Sequence, residues 1–498
     1  MDASKLTLRG LMSEWWRDAV IYQIYVRSFA DGNGDGVGDL IGARDRLPYL
    51  KDLGVDAVWL TPFYTSPMAD FGYDVADYRD VDPLFGTLGD AKGLIEEAHA
   101  LGLRVIVDVV PNHTSSAHPW FQQALRGEHR DRYIFRAEPN DWESIFGGPA
   151  WTRTDDGAYY LHLFDPAQPD LNWDNPEVHA EFDSVLRFWL DLGVDGFRID
   201  VAHGMVKPHD LPDIGHPDQV RLIGTEPVPY FDNDGVHDIH RRWRKILDSY
   251  PGERIGVAEA WAPTPERLAN YVRPDELHQA FNFHFLFAPW QAGALRAVID
   301  ESLATAGSVG APTTWVLSNH DVKRHVTRYG SLARARAAAL LTLALPGSAY
   351  VYQGEELGLP EVLDLPDEVC QDPQRLRDPD SGRDGCRVPI PWTRALGWNR
   401  PWLPIPAEWS SLSVEAQQGE DGSTLELYRA ALRLRKELEG PLTWHDSPDD
   451  TLLFSRGDFV CAVSLGGSTD GLVDGELLLA SDTPGSADST QWWRGKVA

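Results

Sequence analysis

Gly196-Phe197-Arg198-Ile199-Asp200 is the stretch on which the reading of this chain turns. It follows Leu192-Gly193-Val194-Asp195, and its apolar-charged alternation predicts a short strand that delivers Arg198 and Asp200 to one face. A guanidinium beside a carboxylate favours the charged form, so Asp200 is expected to stay ionised at neutral pH and to be available as a nucleophile. Taken alone, the pentapeptide reads slightly better as a strand-end salt bridge fixing a loop.

Three other stretches move the reading toward chemistry. They are Asp108-Val109-Val110-Pro111-Asn112-His113, Val257-Ala258-Glu259-Ala260-Trp261 and Leu317-Ser318-Asn319-His320-Asp321. Each opens as a β-prone apolar run and ends in a carboxylate or histidine, as residues at the C-terminal mouth of a parallel barrel do. With these four motifs in this order, the sequence resembles the α-amylase superfamily, glycoside hydrolase family 13, and within it the α-glucosidase and oligo-1,6-glucosidase branch. The resemblance runs from about Trp15 to about Trp392 and rests on highly specific motifs.

Length and composition agree with that expectation. A chain of 498 residues suits a large barrel with added domains better than one small core. Its 45 Lys+Arg against 76 Asp+Glu give a net charge of −31, which argues against nucleic acid, anionic membrane surfaces and phosphorylated substrates. A neutral sugar meets no such repulsion. Cys370, Cys386 and Cys461 are odd in number and widely spaced, so reduced thiols are expected in place of a disulfide framework or zinc motif. Neither the N-terminus nor the apolar run Ala337–Tyr352, broken by Pro346-Gly347, predicts a leader or a membrane span. A soluble, cytoplasmic protein is expected, and nothing in the residues bears on its oligomeric state.

In chain order, eight strand-like runs fit a (β/α)8 TIM barrel: Ala19–Val26, Val55–Leu60, Leu103–Val110, the opening stretch, Ile255–Ala258, Gln279–Phe285, Thr314–Ser318 and Ser348–Tyr352. Between about Ser115 and Leu171 the β/α rhythm gives way to Trp, Gly, Pro and Asp, which predicts a subdomain inserted after the third strand. Leu425–Leu438 reads as an amphipathic helix, and the short strand-like runs beyond residue 441 predict a small C-terminal β domain. The expected division is a catalytic barrel over 1–111 and 172–440, an inserted subdomain over 112–171 and a β domain over 441–498.

Asp31-Gly32-Asn33-Gly34-Asp35-Gly36-Val37-Gly38-Asp39 sets oxygen donors at alternate positions, with glycines that let the chain curl round a hard cation. The spacing is EF-hand-like, although an Asx/Gly-rich turn without metal is the plain alternative. It looks like the divalent-ion loop of this branch, which implies Asp31, Asn33, Asp35, the Val37 carbonyl and Asp39 as ligands to a structural Ca2+ or Mg2+. No organic cofactor is implied.

The resemblance also implies a glucose pocket. Asp70 and Tyr73 match its floor, His113 a sugar ligand, Phe146 and Phe164 apolar wall positions, and Arg383 in Gly382-Arg383-Asp384-Gly385 the arginine that pairs with Asp70, with Arg387 near enough to leave that choice open. Gln168-Pro169-Asp170-Leu171-Asn172-Trp173 matches the signature that separates this branch from amylases. Retaining glycoside cleavage needs one ionised carboxylate to attack the anomeric carbon and one carboxylic acid to protonate the leaving oxygen. Asp200 beside Arg198 fits the first role; Glu259, after an apolar strand whose burial favours a protonated carboxyl, fits the second. Asp321 completes the family's triad, and His320 beside it grips sugar hydroxyls. The implied activity is a retaining, exo-acting α-glucosidase on small α-glucosides. Val201 resembles branch members that prefer α-1,6 bonds, but Ala202-His203-Gly204-Met205-Val206-Lys207 departs from their usual run, so α-1,4, α-1,6 and sucrose all stay open. A transglucosylase or sugar isomerase with the same triad is the alternative, and a non-catalytic relative is the third reading.

Overall fold

The structure is a computed structural model and describes residues 14–377 and 379–498. Its centre is an eight-stranded parallel sheet: β1 (Val20–Ile24), β2 (Ala57–Leu60), β3 (Arg104–Val109), β4 (Gly196–Ile199), β5 (Ile255–Ala258), β6 (Gln279–Ala280), β7 (Thr314–Val316) and β8 (Ser348–Tyr352). The spatial order is β6-β5-β4-β3-β2-β1-β8-β7, and a parallel bridge between Phe281 and Thr314 closes it into a barrel. Nearly every strand residue is buried, as continuous apolar runs covered on both faces require. Gly196 opens β4 because a Cβ there would lie 2.6 Å from the Ile255 carbonyl oxygen.

The sixth strand is shorter than its apolar run suggests. Pairing stops at Ala280, and Asn282 accepts from Phe285 N (3.0 Å) to cap a one-turn helix over Phe283–Leu286. An Asn inside an apolar run supplied the capping oxygen that ends the strand. The seventh strand likewise ends at Val316 and not at Ser318.

Helices cover the barrel's outside. Among them are α1 (Leu88–Ala100), α2 (Pro176–Leu192), α3 (Gly235–Asp248), α4 (Ala292–Ser308), α5 (Leu332–Ala344) and α6 (Thr424–Arg435). α1 opens with a Thr87/Asp90 capping box. α2 starts at an Asn175 cap with Pro176 in its first turn and stops at Gly193, whose φ of 108° turns the chain into β4.

Between β3 and α2, three short antiparallel strands, Phe135–Arg136, Trp151–Arg153 and Tyr159–Leu161, form a separate small sheet. The bridges His113 to Asp170 and Tyr133 to Leu171 tie it to the end of β3. Its core residues Trp142, Trp151 and Leu163 pack with Val201, Tyr230 and Phe231 from the loop beyond β4. That shared core holds one wall against the barrel mouth.

The chain ends in a five-stranded antiparallel sheet, β9 (Thr443–Trp444), β10 (Thr451–Arg456), β11 (Phe459–Ser464), β12 (Val473–Ala480) and β13 (Ser489–Val497), ordered β9-β10-β11-β13-β12. Phe454, Cys461 and Trp492 join the barrel's hydrophobic core, and Trp492 Nε1 donates to Leu340 O of α5 (3.2 Å). Among the described residues, no helix is long and apolar enough to cross a membrane.

Candidate active site

β3, β4 and β5 bring their terminal acids to one level. The ladder continues past the strand ends, with Asp200 N donating to Val109 O (2.9 Å) and Glu259 N to Ile199 O (3.0 Å). Register sets Arg198 opposite Asp108. The buried Arg198 guanidinium donates through Nη1 to Asp108 Oδ1 (2.7 Å) and Asp200 Oδ1 (2.5 Å), and its Nη2 lies 3.4 Å from Glu259 Oε2.

This sharing corrects the expectation that Arg198 alone keeps Asp200 ionised. Burial pushes the Asp200 carboxyl well above the usual carboxylate range; Arg198 opposes this, while Glu259 and Asp108 add to it. Burial likewise raises Asp108 to about 6 against the pull of Arg198. One cation facing three buried acids favours retention of a proton within the group.

Glu259 is held at both oxygens. Trp261 Nε1 donates to Oε1 (2.5 Å), and Val201 N donates to Oε2 (2.7 Å). Val201 adopts φ 46°, a left-handed conformation costly for a β-branched residue. The packing of Val201 in the insertion's core sustains it.

Asp321 lies opposite in electrostatic character. Its side chain keeps 29% exposure at the cavity wall, and His320, Arg383 and Arg387 outweigh the partial burial and hold its carboxyl well below the usual range. Arg383 Nη1 and Arg387 Nη2 each donate to Asp321 Oδ1 at 2.9 Å. His320 Nδ1 meets Gln23 Nε2 (2.7 Å), an amide donor, so the ring proton sits on Nε2, which lies 2.8 Å from Tyr73 Oη and 3.2 Å from Asp321 Oδ2.

The pocket floor is built on Asp70. Arg383 Nη2 donates to its Oδ1 (2.9 Å) and Gln168 Nε2 to its Oδ2 (3.1 Å). Arg387 donates instead to the His320 carbonyl (2.8 Å) and Asp321, so the arginine on Asp70 is Arg383. Burial raises Asp70 to about 6, with Arg383 opposing. Tyr73 stacks on His320 with ring centroids 5.4 Å apart, and His113 Nε2 lies 3.1 Å from Tyr73 O. Phe146 and Phe164 meet edge to face at 5.6 Å, with the Arg383 guanidinium over Phe146. Asp70, Tyr73, His113, Phe146, Phe164, Asp200, Val201, Glu259, Asp321 and Arg383 all line one cavity of about 990 Å³, counting its open mouth. Arg198 and His320 stand immediately behind it.

The model of the alpha amylase catalytic domain matches residues 23–442 of this chain. The chain belongs to the α-amylase family. This family member is a glycoside hydrolase. It is 42% identical over 463 residues to a probable alpha-glucosidase of Rhizobium meliloti, covering 85% of this chain and 83% of that one. It is 37% identical over 474 residues to an oligo-1,6-glucosidase of Parageobacillus thermoglucosidasius, covering 85% and 84%. Among solved structures it resembles an alpha-glucosyl transfer enzyme with a TM-score of 0.86, 39% identity and coverage of 98% and 99%.

Several residues of this α-amylase-family site escape a reading of the sequence. Asp372 grips Arg383 through Nε and Nη2 at 2.7–3.2 Å, yet it is one of several acids in a Pro/Asp/Arg-rich loop and nothing local distinguishes it. Trp261 and Gln168 stand inside motifs that were legible, and a buried acid in need of donors was the available signal for both. His203 and Phe231, 4.1 Å apart, come from a loop with no pattern.

The glycine-rich loop of this family member is internally bonded. Asp31 accepts from Gly34 N (2.6 Å) and Gly36 N (2.8 Å), Asn33 from Asp35 N, Asp35 from Val37 N, and Asp39 from Gly32, Asn33 and Gly42 N. The donors are all oxygens and suit a hard cation. The acids do not converge, however: among the described residues, the trio whose ligand atoms lie within 4.8 Å of one another is His237, His240 and Glu276.

Proposed function

We propose that this family member is a retaining, exo-acting α-glucosidase that removes the non-reducing terminal α-glucosyl residue of short oligosaccharides. The observation that carries the reading is the single Arg198 guanidinium contacting both Asp200 and Glu259 at a cavity that the Asp70–Arg383 pair also lines. Asp200 attacks the anomeric carbon as Glu259 gives its proton to the departing glycosidic oxygen; Glu259 then takes a proton from water as that water releases glucose from Asp200. Arg198 moves with neither and stabilises whichever carboxylate bears charge. Asp321, Arg383, His113 and His320 hold the sugar hydroxyls, Tyr73 packs under the ring, and Phe146, Phe164 and Val201 bound it.

The barrel, over 1–111 and 172–440 with 1–13 lying outside the described residues, carries the acids, 112–171 walls the cleft and 441–498 packs against α5. Asp31, Asn33, Asp35, the Val37 carbonyl and Asp39 would hold a structural Ca2+ or Mg2+ only if their oxygens, now spent on the loop's own N–H groups, drew together around it. Three unpaired thiols, Cys370, Cys386 and Cys461, support a reducing, cytoplasmic setting.

Transglucosylation is the second reading. Val220, Ile223, Phe231 and Trp261 line the cavity beside the polar groups and disfavour bulk water where an acceptor alcohol would sit. Incubation of purified protein with maltose, isomaltose and sucrose, with Asp200→Asn as control, tests both readings. Free glucose absent from the control supports hydrolysis and ranks the linkages. New oligosaccharides in its place support transfer, and inert wild-type protein overturns the substrate class.

A further inference from the structure

We propose that Lys207 is a positioning residue that, acting through Asn112, sets which ring nitrogen of His113 carries the proton. Lys207 lies seven residues beyond Asp200, and its side chain is 2% exposed. Its Nζ donates to Asp170 Oδ2 (2.6 Å), at the end of the insertion, and to Asn112 Oδ1 (2.7 Å), past the end of β3. An ammonium group only donates, so the carbonyl end of Asn112 must face it. The amide nitrogen is thereby turned the other way, toward Asp170 Oδ2 (3.0 Å) and His113 Nδ1 (3.2 Å). Asp170 is itself fully buried, and its Oδ1 accepts from Leu163 N (2.8 Å), so it cannot swing to release Asn112.

An amide nitrogen also only donates. His113 Nδ1 is therefore the acceptor, and the ring proton resides on Nε2. There it faces Tyr73 O at 3.1 Å, a group that only accepts. One contact opposes this arrangement: Gln168 Nε2 lies 3.2 Å from the same Nε2 and would favour a bare nitrogen. Gln168 has an acceptor of its own in Asp70 Oδ2 at 3.1 Å, whereas Asn112 is locked from two sides. Two contacts outweigh one.

The choice matters because burial holds His113 down to about 4, so the ring is neutral at neutral pH and its tautomer decides what it offers. With the proton on Nε2, His113 presents a donor on the edge it shares with Tyr73, Gln168 and Asp70. A ring with the proton on Nδ1 would present a lone pair on that edge. The effect on sugar binding rests on the reading of His113 as a sugar ligand; the tautomer assignment does not.

The test uses the full chain labelled with 15N-histidine, with His113 assigned by loss of its signals in His113→Ala. The expected wild-type spectrum shows a bare Nδ1 and a protonated Nε2. Asn112→Asp, which offers only acceptors to Nδ1, reverses the pattern, and Lys207→Met, which removes the donor that fixes the Asn112 carbonyl and leaves Asp170 as its one remaining lock, yields a mixture of the two. Lys207→Met is also expected to raise KM for a small α-glucoside roughly tenfold with a smaller change in kcat, the loss of one well-made buried hydrogen bond. A protonated Nδ1 in the wild type, or a wild-type pattern in folded Lys207→Met, overturns the proposal. Should Lys207→Met not fold, the wild-type and Asn112→Asp spectra decide it. An unchanged KM in His113→Ala would instead sink the sugar-ligand role of His113 and leave the tautomer assignment standing.

Discussion

At Arg198, one guanidinium faces three acids, Asp108, Asp200 and Glu259, all within 3.4 Å of its nitrogens. Such a group is over-supplied with negative charge when fully ionised, and in the mechanism proposed above that excess poises one carboxyl to give a proton and another to attack. Asp200→Asn is therefore expected to lower hydrolysis by about four orders of magnitude, read from initial rates. The same variant is expected to unfold at a higher denaturant concentration than wild type by roughly 1 kcal/mol, because it removes one buried acid from the crowd. A lower midpoint would contradict the crowded-charge account. Asp372 acts one step back: it holds two edges of Arg383, which in turn spans Asp70 and Asp321. Asp372→Asn should raise KM about tenfold and leave kcat within a few-fold, since a charge-assisted pair that orients a binding group is weakened. A fall in kcat with KM intact would place Asp372 in the chemical step.

Elements are pinned by groups distant in sequence. α5 ends in carbonyls that no helical turn satisfies, and two buried arginines fill the need. Arg435 of α6 donates to Leu343 O, Leu345 O and Gly347 O, and Arg456 of β10 donates to Ala344 O (3.1 Å). Burial, with Arg456 nearby, lowers Arg435 to about 10, so it stays charged at neutral pH and complements the helix C-terminus. Arg435→Met should cost about 2–3 kcal/mol, read as a lower denaturation midpoint, because three buried carbonyls lose their donor. The Asp31–Asp39 loop offers a contrast, as its side chains already satisfy its own backbone. If it takes Ca2+, calcium should raise the melting temperature by a few degrees, EDTA should reverse this, and Asp31→Asn should abolish the response. Unchanged melting in all three conditions would leave the loop a metal-free turn.

Across the whole molecule, stability versus pH should carry the mark of Glu355. Burial raises it to about 8, and the neighbouring Glu356 adds to this against the Tyr352 N–H. The group reaches β8 through Tyr352 N (3.2 Å) and α6 through Tyr428 Oη (3.3 Å), so its ionisation loads the seam between the barrel and its last helix. Its folded pKa lies above the unfolded value of 4.5, so folding favours the protonated form. That contribution is complete below pH 4.5, is lost as pH rises toward about 8, and changes no further above it. Glu355→Gln should flatten this part of the curve, by a few kcal/mol at pH 8, in chemical denaturation at pH 5 and pH 8. An identical slope in the variant would assign the pH dependence elsewhere.

The barrel was legible because both faces of each strand are buried, and burial writes itself into sequence as continuous apolar runs ended by polar residues. Asp108, Asp200, Glu259 and Asp321 stand out for the same reason, since each ends or follows such a run and a parallel barrel has only one end at which those positions can meet; choosing Asp200, Glu259 and Asp321 among them took the family resemblance. The short β6 was hidden because an apolar run does not announce which of its residues turns to cap a helix. Which arginine meets Asp70 and how Asp108 comes to share Arg198 depend on residues 313 and 90 positions apart, while Asp372 and Arg383, only 11 apart, meet inside an irregular loop with no periodicity to align them. Their distances and exclusion of water exist only after packing. Local pattern determined the strands and the acids they present; the buried electrostatics, in which each group's charge depends on every neighbour at once, belonged to the tertiary structure alone.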